Sequence, residues 1–275
     1  MTTIHTNPGA LVAQATLRTV TSNLDKVSKQ VQTGYKVADA KDDASTFAVA
    51  QGLRANVAQL SAVSEGLSGA VGVAEVALAG ATAVSNLFTD IKAKLTQLSS
   101  TALTAAQRTT YNADLNDLAA QADALLTQAS FNGKNLLDNT TALNFISNAT
   151  GGTITLTGVN VDALSNTFVT AAGAATTSTL AAAQLVAASA LDLFIVGTNT
   201  ALSSISGDLR AIEAQNDFTK AISDATEKGL GALVDADLAK ASSRLQALQA
   251  QQQLSTQAIT IANQAPSVLL ALFRG

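Results

Sequence analysis

Apolar residues at Leu17, Val20, Leu24, Val27 and Val31 step by three and four, the alternation that a coiled-coil seam requires. Gly34 ends that stripe. After a connector, a second stripe runs through Leu53, Val57, Leu60, Leu67, Val71, Ala74 and Leu78 and continues through Phe88, Ile91, Leu95 and Leu98. It predicts one helix that approaches ~80 Å at ~1.5 Å per residue. Gly52, Gly66, Gly69, Gly72 and Gly80 weaken this helix by up to ~1 kcal/mol each relative to Ala, and close helix contact is the expected reason for them. A turn and N-cap at 101–104 precede a helix over 105–128, with Tyr111, Leu115, Leu118, Ala122 and Leu125 on one face.

The period then changes. Asn132-Gly133 is a turn signal, and 139–179 is rich in Thr, Asn, Gly and β-branched residues. Residues 153–159 alternate as a strand, with Gly151-Gly152 as a hairpin turn. Helix returns near Leu180, and Leu202, Ile205, Leu209 and Ile212 form another seam, extended by Phe218 and Ile222, before a break is expected at Gly229 and Gly231. The last helix shows Leu238, Ala241, Leu245 and Leu248. Its stripe then shifts to Leu254, Ala258, Ile261, Ala265 and Val268, as at a stutter. The layout is nearly palindromic: coiled-coil segment, Gly break, long helix, β insertion, long helix, Gly break, coiled-coil segment. The fold class is therefore mainly α, with long antiparallel helices, a terminal coiled coil and a small β-hairpin insertion.

Charge sharpens this picture. Residues 1–17 and 245–273 contain no Asp, Glu, Lys or Arg. A surface helix normally carries a charged face, so two terminal helices without one are expected to pair and to be buried against copies of the same chain. That makes the chain a candidate polymer subunit. Composition excludes other classes: aromatics are 4% with no Trp, the net charge of −4 offers no basic footprint for nucleic acid, and cysteine is absent, so disulfides and thiolate metal sites are out. The first basic residue is Arg18 and Gln14 interrupts the apolar stretch near Leu11, so no secretory n-region and h-region are recognisable. The uncharged C-terminal run holds seven glutamines, Asn263 and Pro266 and is too polar for a membrane span of ~20 apolar residues.

Several strings together resemble bacterial flagellin across nearly the whole chain. IHTN at 4–7 is close to the family's I-N-T-N opening, with His5 in place of the usual Asn. TGYKVADAKDDAS at 33–45 resembles the connector between inner and outer helical layers, SFNGKNLL at 130–137 matches the F-N-G turn, and the end of the chain from 233 resembles the inner-core helix, with Asn263-Gln264 before Pro266. The resemblance implies a structural subunit of the bacterial flagellar filament, a helical tube used for motility. Terminal helices at 1–35 and 236–275 would form the inner core, 36–44 and 226–235 the connectors, 45–138 and 180–225 the outer helical domain, and 139–179 a β-rich insertion. The implied polymerisation residues are Leu17, Val20, Leu24, Val27, Val31, Leu238, Leu245, Leu248, Leu254 and Ile261. The implied partners are the chain itself, a flagellar export chaperone and type III export apparatus, and filament cap and hook-associated proteins, with export free of a cleaved signal peptide. A hook-associated junction or other axial protein is the alternative. A cytoplasmic coiled-coil scaffold is disfavoured by the charge-free ends.

Candidate chemistry is sparse. His5 is the one histidine, so neither a histidine metal cluster nor an H-E-x-x-H site is available, and a polar packing role is expected for it. Lys41, Asp42 and Asp43 in the connector read as capping and salt-bridge residues, with Asp43 or Ser45 capping the helix that follows; Asp235 and Asp237 read the same way at the start of the last helix. No cofactor, metal or catalytic residue is expected. In many enterobacterial flagellins an R-E-L-type patch faces a Toll-like receptor and neighbouring subunits. The corresponding stretch at 88–95 lacks Arg, so strong activation is not expected, while Ile91 and Leu95 keep the spacing for outer-layer packing through this face.

Overall fold

The structure is a computed structural model that describes residues 7–272, with side chains described to residue 264. In chain order it comprises α1 (Pro8–Thr33), α2 (Ala44–Leu98), α3 (Ala105–Gln128), β1 (Ser130–Phe131), β2 (Lys134–Asn135), β3 (Leu143–Ile146), β4 (Thr153–Leu156), α4 (Asp162–Ala174), α5 (Ser178–Ala183), α6 (Ala190–Val234) and α7 (Leu238–Leu272). The fold is mainly α, as its hydrophobic periods predict. Its described sheets are two antiparallel pairs, β1–β2 and β3–β4.

Local chemistry sets the helix limits. Asn7 caps α1 by accepting from the Ala10 N–H at 3.1 Å, and Pro8 follows, where a missing N–H costs nothing. Gly34 ends α1 in the left-handed region, φ 74°, with its N–H donating to the Gln30 carbonyl. Asp43 caps α2 by accepting from the Ser45 and Thr46 N–H groups at 3.0 and 3.1 Å. Thr104 and Gln107 form a reciprocal capping box at the start of α3. Asn132 and Gly133 both take positive φ, 49° and 72°, and join β1 to β2 in a two-residue turn.

The chain divides into two compact units, Met1–Ala55 with Ala225–Gly275, and Asn56–Asp224. The second unit contains one continuous apolar core. From α2 it takes Leu67, Ala70, Ala74, Ala77, Ala81, Val84, Phe88, Ile91, Leu95 and Leu98; α3 adds Leu115, Ala119, Ala122 and Leu126, and α6 adds Phe194, Ala201, Ile205 and Ile212. Phe194 meets Phe88 edge-on at 5.0 Å and stacks on Phe168 at 5.9 Å. Between α2 and α6, Asn216 accepts from the Ser64 hydroxyl at 2.7 Å and donates to that of Ser68 at 3.3 Å. By length and composition α2 passes as a membrane span, yet its apolar stripe is the one this core uses.

Close approach explains two of the five α2 glycines. A Cβ on Gly80 would lie 2.6 Å from the Ala129 Cβ, and one on Gly72 would lie 3.1 Å from the Phe131 ring. At Gly52, Gly66 and Gly69 nothing comes within 4 Å, so contact does not account for them. Opposite outcomes follow for one substitution. Gly80→Ala lowers stability by ~1–3 kcal/mol through overpacking, whereas Gly66→Ala raises it by ~0.5–1 kcal/mol through helix propensity. Urea denaturation of the two variants measures both signs.

Three sequence expectations are corrected. Gly229 and Gly231 do not break the helix, because α6 continues to Val234. The segment 139–179 is not uniformly β: it holds the hairpin β3–β4, with Leu143 opposite Leu156, and also α4. Burial decides the helix, since Phe168 and Ala172 on one face of α4 enter the core. Helix also does not run on from Leu180, because α5 ends at Ala183 and α6 begins only at Ala190.

Candidate assembly surface

The first unit is built on the pairing of α1 with α7. Val20 and Val27 are buried against Ala241 and Leu248, with Leu24, Val31 and Leu245 packed around them. The helices run antiparallel. At one end the Asn7 amide donates to the Ala262 carbonyl at 2.6 Å, and at the other Tyr35 pairs with Asp235 in an antiparallel bridge. That bridge is closed by the Lys36 N–H to the Val234 carbonyl, 2.7 Å, and the Ala236 N–H to the Gly34 carbonyl, 2.8 Å. Asp237 then caps α7 by accepting from the Lys240 N–H at 3.0 Å.

Thus the structure brings together six of the ten assigned polymerisation residues, Val20, Leu24, Val27, Val31, Leu245 and Leu248, within a single chain. Leu17 is half-buried. Leu238, Leu254 and Ile261 stay out of the seam, at 49%, 63% and 69% exposure. For Leu254 and Ile261 the shift in phase is the cause: at ~100° per residue they lie roughly 120–140° around α7 from Leu248. Leu11 and Val12 are exposed as well, and their adjacency off the stripe was the available signal for them. His5 lies outside the described residues, as do the side chains of Ala265 and Val268.

In the connector the cation is Lys29, which sequence adjacency did not reveal. Its ammonium donates to Asp39 at 2.5 Å and to Asp42 at 3.2 Å, across 10 and 13 residues. Lys41, adjacent to the pair, contributes its backbone N–H to Asp39 at 2.8 Å. The Lys29 ammonium and the Lys41 N–H hold the Asp39 carboxyl below the usual aspartate range. Burial pushes Asp42 up, but donors from the Ala38 N–H, Lys29 and the Asp39 N–H outweigh it and leave it lowered. Hydrogen bonds from the Thr46 hydroxyl and N–H lower Asp43, and the two acceptors Asp39 and Asp42 raise Lys29.

A depressed carboxylate contributes stability that is complete above its unfolded value and is lost as pH falls through its folded one. The raised lysine contributes below its unfolded value and loses that as pH climbs through its folded one. Connector order is therefore flat across neutral pH and falls off only in strong acid or strong base. Exchange of the Ala38 and Asp39 amides, both donating to Asp42, measures it; Asp42→Asn removes that carboxylate's share of the acid limb and leaves those of Asp39 and Asp43.

Ile91 and Leu95 are fully buried in the core of the second unit. They therefore pack inside their own chain and offer nothing to a neighbour. The outward face of that turn is Thr89, Asp90, Lys92 and Ala93. Lys94 is engaged internally, 3.0 Å from Asp114 and 5.2 Å from the Tyr111 ring. Among the described residues, no group of three or more His, Cys, Asp or Glu is arranged to hold a metal ion.

An antiparallel pair of terminal helices, with long helices between them, is the geometry in which comparison with known proteins becomes decisive. Residues 4–142 match the bacterial flagellin N-terminal helical region, and residues 195–273 match the bacterial flagellin C-terminal helical region. The chain belongs to the bacterial flagellin family. This flagellin is 34% identical to flagellin FljO of Caulobacter vibrioides, over 100% of its own length and 99% of that protein's. It is 30% identical to a flagellin of Brucella melitensis, over 100% of both chains. The crystal structure of Bacillus cereus flagellin aligns with 61% of this flagellin and 88% of its own chain, at 15% identity and a TM-score of 0.34, too loosely to carry structural detail. As a member of its family, this flagellin is a self-polymerising structural subunit of the extracellular flagellar filament that serves motility.

Proposed function

We propose that this flagellin polymerises through the α1–α7 pair, with Leu17, Val20, Leu24, Val27, Val31, Leu245 and Leu248 forming the seam that makes the pair rigid. Leu238, Leu254 and Ile261 then face neighbouring copies. The observation that carries this is the exposure of Leu254 and Ile261, 63% and 69%, on a stretch of α7 that has no charge from Leu245 onward. Exposed Leu and Ile on an uncharged helix are poorly solvated, and burial of each against a copy contributes ~1.5–3 kcal/mol.

The same exposed stripe suits a flagellar export chaperone that covers α7 until the chain reaches the type III export apparatus. The filament cap and hook-associated proteins meet the assembled termini. In this reading the chain is not an enzyme and takes no cofactor. Connector residues Lys41, Asp42 and Asp43 act by fixing backbone, with no contact to a partner.

Electron microscopy of Leu254→Lys and Ile261→Lys chains tests the reading. Both positions are exposed in the single chain, so helicity stays at the unmodified level while filament growth is lost or its critical concentration rises more than tenfold. Unchanged filaments would remove these residues from the interface.

A further inference from the structure

Residues 139–207 repeat the signature of the charge-free ends. Across that stretch the chain has only two charged side chains, Asp162 and Asp192, yet Leu185, Val186, Leu193 and Val196 are exposed, the two valines at 58% and 54%. These four residues occupy the turn between α5 and α6 and the first turns of α6. The turn is pinned. Ala188 is held at φ 62°, an unfavourable value for a residue with a Cβ, while its N–H donates to Asp192 at 2.9 Å. The Ser189 hydroxyl donates to the Gln184 carbonyl at 2.9 Å and accepts from the Asp192 N–H at 3.2 Å. Leu185 and Val186 are therefore presented on ordered backbone, which lowers the entropy that docking would otherwise cost.

The second unit also has an apolar recess. A groove of about 320 Å³ is lined by Gly69 and Val73 of α2 with Phe131, Leu143 and Phe145 of the hairpins, and Lys134 is the one charged residue in its lining. Phe131, at 41% exposure, leans over Gly72 and leaves part of its ring uncovered. In a helical polymer every copy is equivalent and contacts are head to tail, so a surface that protrudes on one copy meets a different surface on the next. Ridge and groove are both apolar, and their charges are opposite: Asp192 on the ridge, Lys134 in the groove.

We propose that the Leu185, Val186, Leu193 and Val196 ridge of one copy docks into the Phe131 and Phe145 groove of a neighbouring copy in the filament. The occupant of the groove is a second copy of this chain. This contact is separate from that of the terminal helices and rests only on the chain's membership of a polymerising family.

The absence of cysteine makes the test direct. Filaments of the double variant Val186→Cys, Lys134→Cys are treated with a short bifunctional thiol reagent and run on a denaturing gel. A ladder extending past trimer is expected from filaments, with none from dilute unassembled chain and none from either single variant. In parallel, Val186→Glu raises the critical concentration for assembly at least tenfold without changing monomer helicity, and Val186→Leu does not. Normal filaments with no ladder, dimers from Val186→Cys alone, or an unaltered critical concentration for Val186→Glu would each overturn the docking while leaving the filament function and the terminal-helix interface standing.

Discussion

Removal of residues 245–275 abolishes filament growth and leaves the Asn56–Asp224 unit folded. The deletion takes away Leu245 and Leu248 and leaves α7 only its first seven residues, Leu238 to Arg244. A helix of that length is unstable in water by itself. Val20 and Val27 then have Ala241 alone of their buried α7 partners, and α1 loses the apolar surface that keeps it helical. The core of the other unit runs from Val63 to Ile212 and loses no member. Circular dichroism therefore falls by more than the deleted segment accounts for, since α1 melts with it, while the thermal transition of the Asn56–Asp224 unit persists. Sedimentation and electron microscopy report the polymer. Filaments of normal length from the truncated chain would sink the assignment of α7 to assembly.

Val27→Asp separates the α1–α7 pair. Val27 is 4% exposed and sits in a small seam whose other buried members are Val20, Ala241 and Leu248. A carboxylate at this 4% exposed position is drawn out of water among apolar seam neighbours, so a charged Asp costs ~3 kcal/mol or more. Since each ~1.4 kcal/mol is a factor of ten, pairing weakens by more than ~100-fold. Val27→Ala, which only loses methyl contacts, costs ~1–2 kcal/mol. Amide exchange along α1 gives the two values, and the critical concentration of assembly follows the same order. Equal protection of α1 in the Asp variant and the unmodified chain would show that the pair is not what stabilises this helix.

Lys29 illustrates where reading along the chain stops. Asp42 and Asp43 are recognisable as connector carboxylates, and Asp43 as a cap, because caps act over two or three residues. The partner of Asp42 lies 13 residues back and reaches it only once Gly34 has turned the backbone. Ile91 and Leu95 make the complementary point. Their spacing marks an apolar face but not what covers it, and the cover proves to be the chain's own core rather than a neighbour.

The sequence by itself determined the features that short-range chemistry controls. Gly34 stops α1 because a left-handed residue favours glycine, Thr104 and Gln107 start α3 by mutual capping, and Asn132-Gly133 turns a hairpin. It also determined that α1 and α7 pair, since a three-four stripe on each, on α7 as far as Leu248, leaves water when the two stripes meet. Tertiary structure alone decided the rest. The Thr- and Val-containing segment 162–174 became helix because Phe168 and Ala172 fill the core, overriding strand preference, and Gly229 and Gly231 stayed helical within α6. Which apolar stripes are used up inside the chain and which, like Leu254, Ile261, Val186 and Val196, stay exposed on it depends on where the partner surface lies in space, and spacing along one helix does not contain that information.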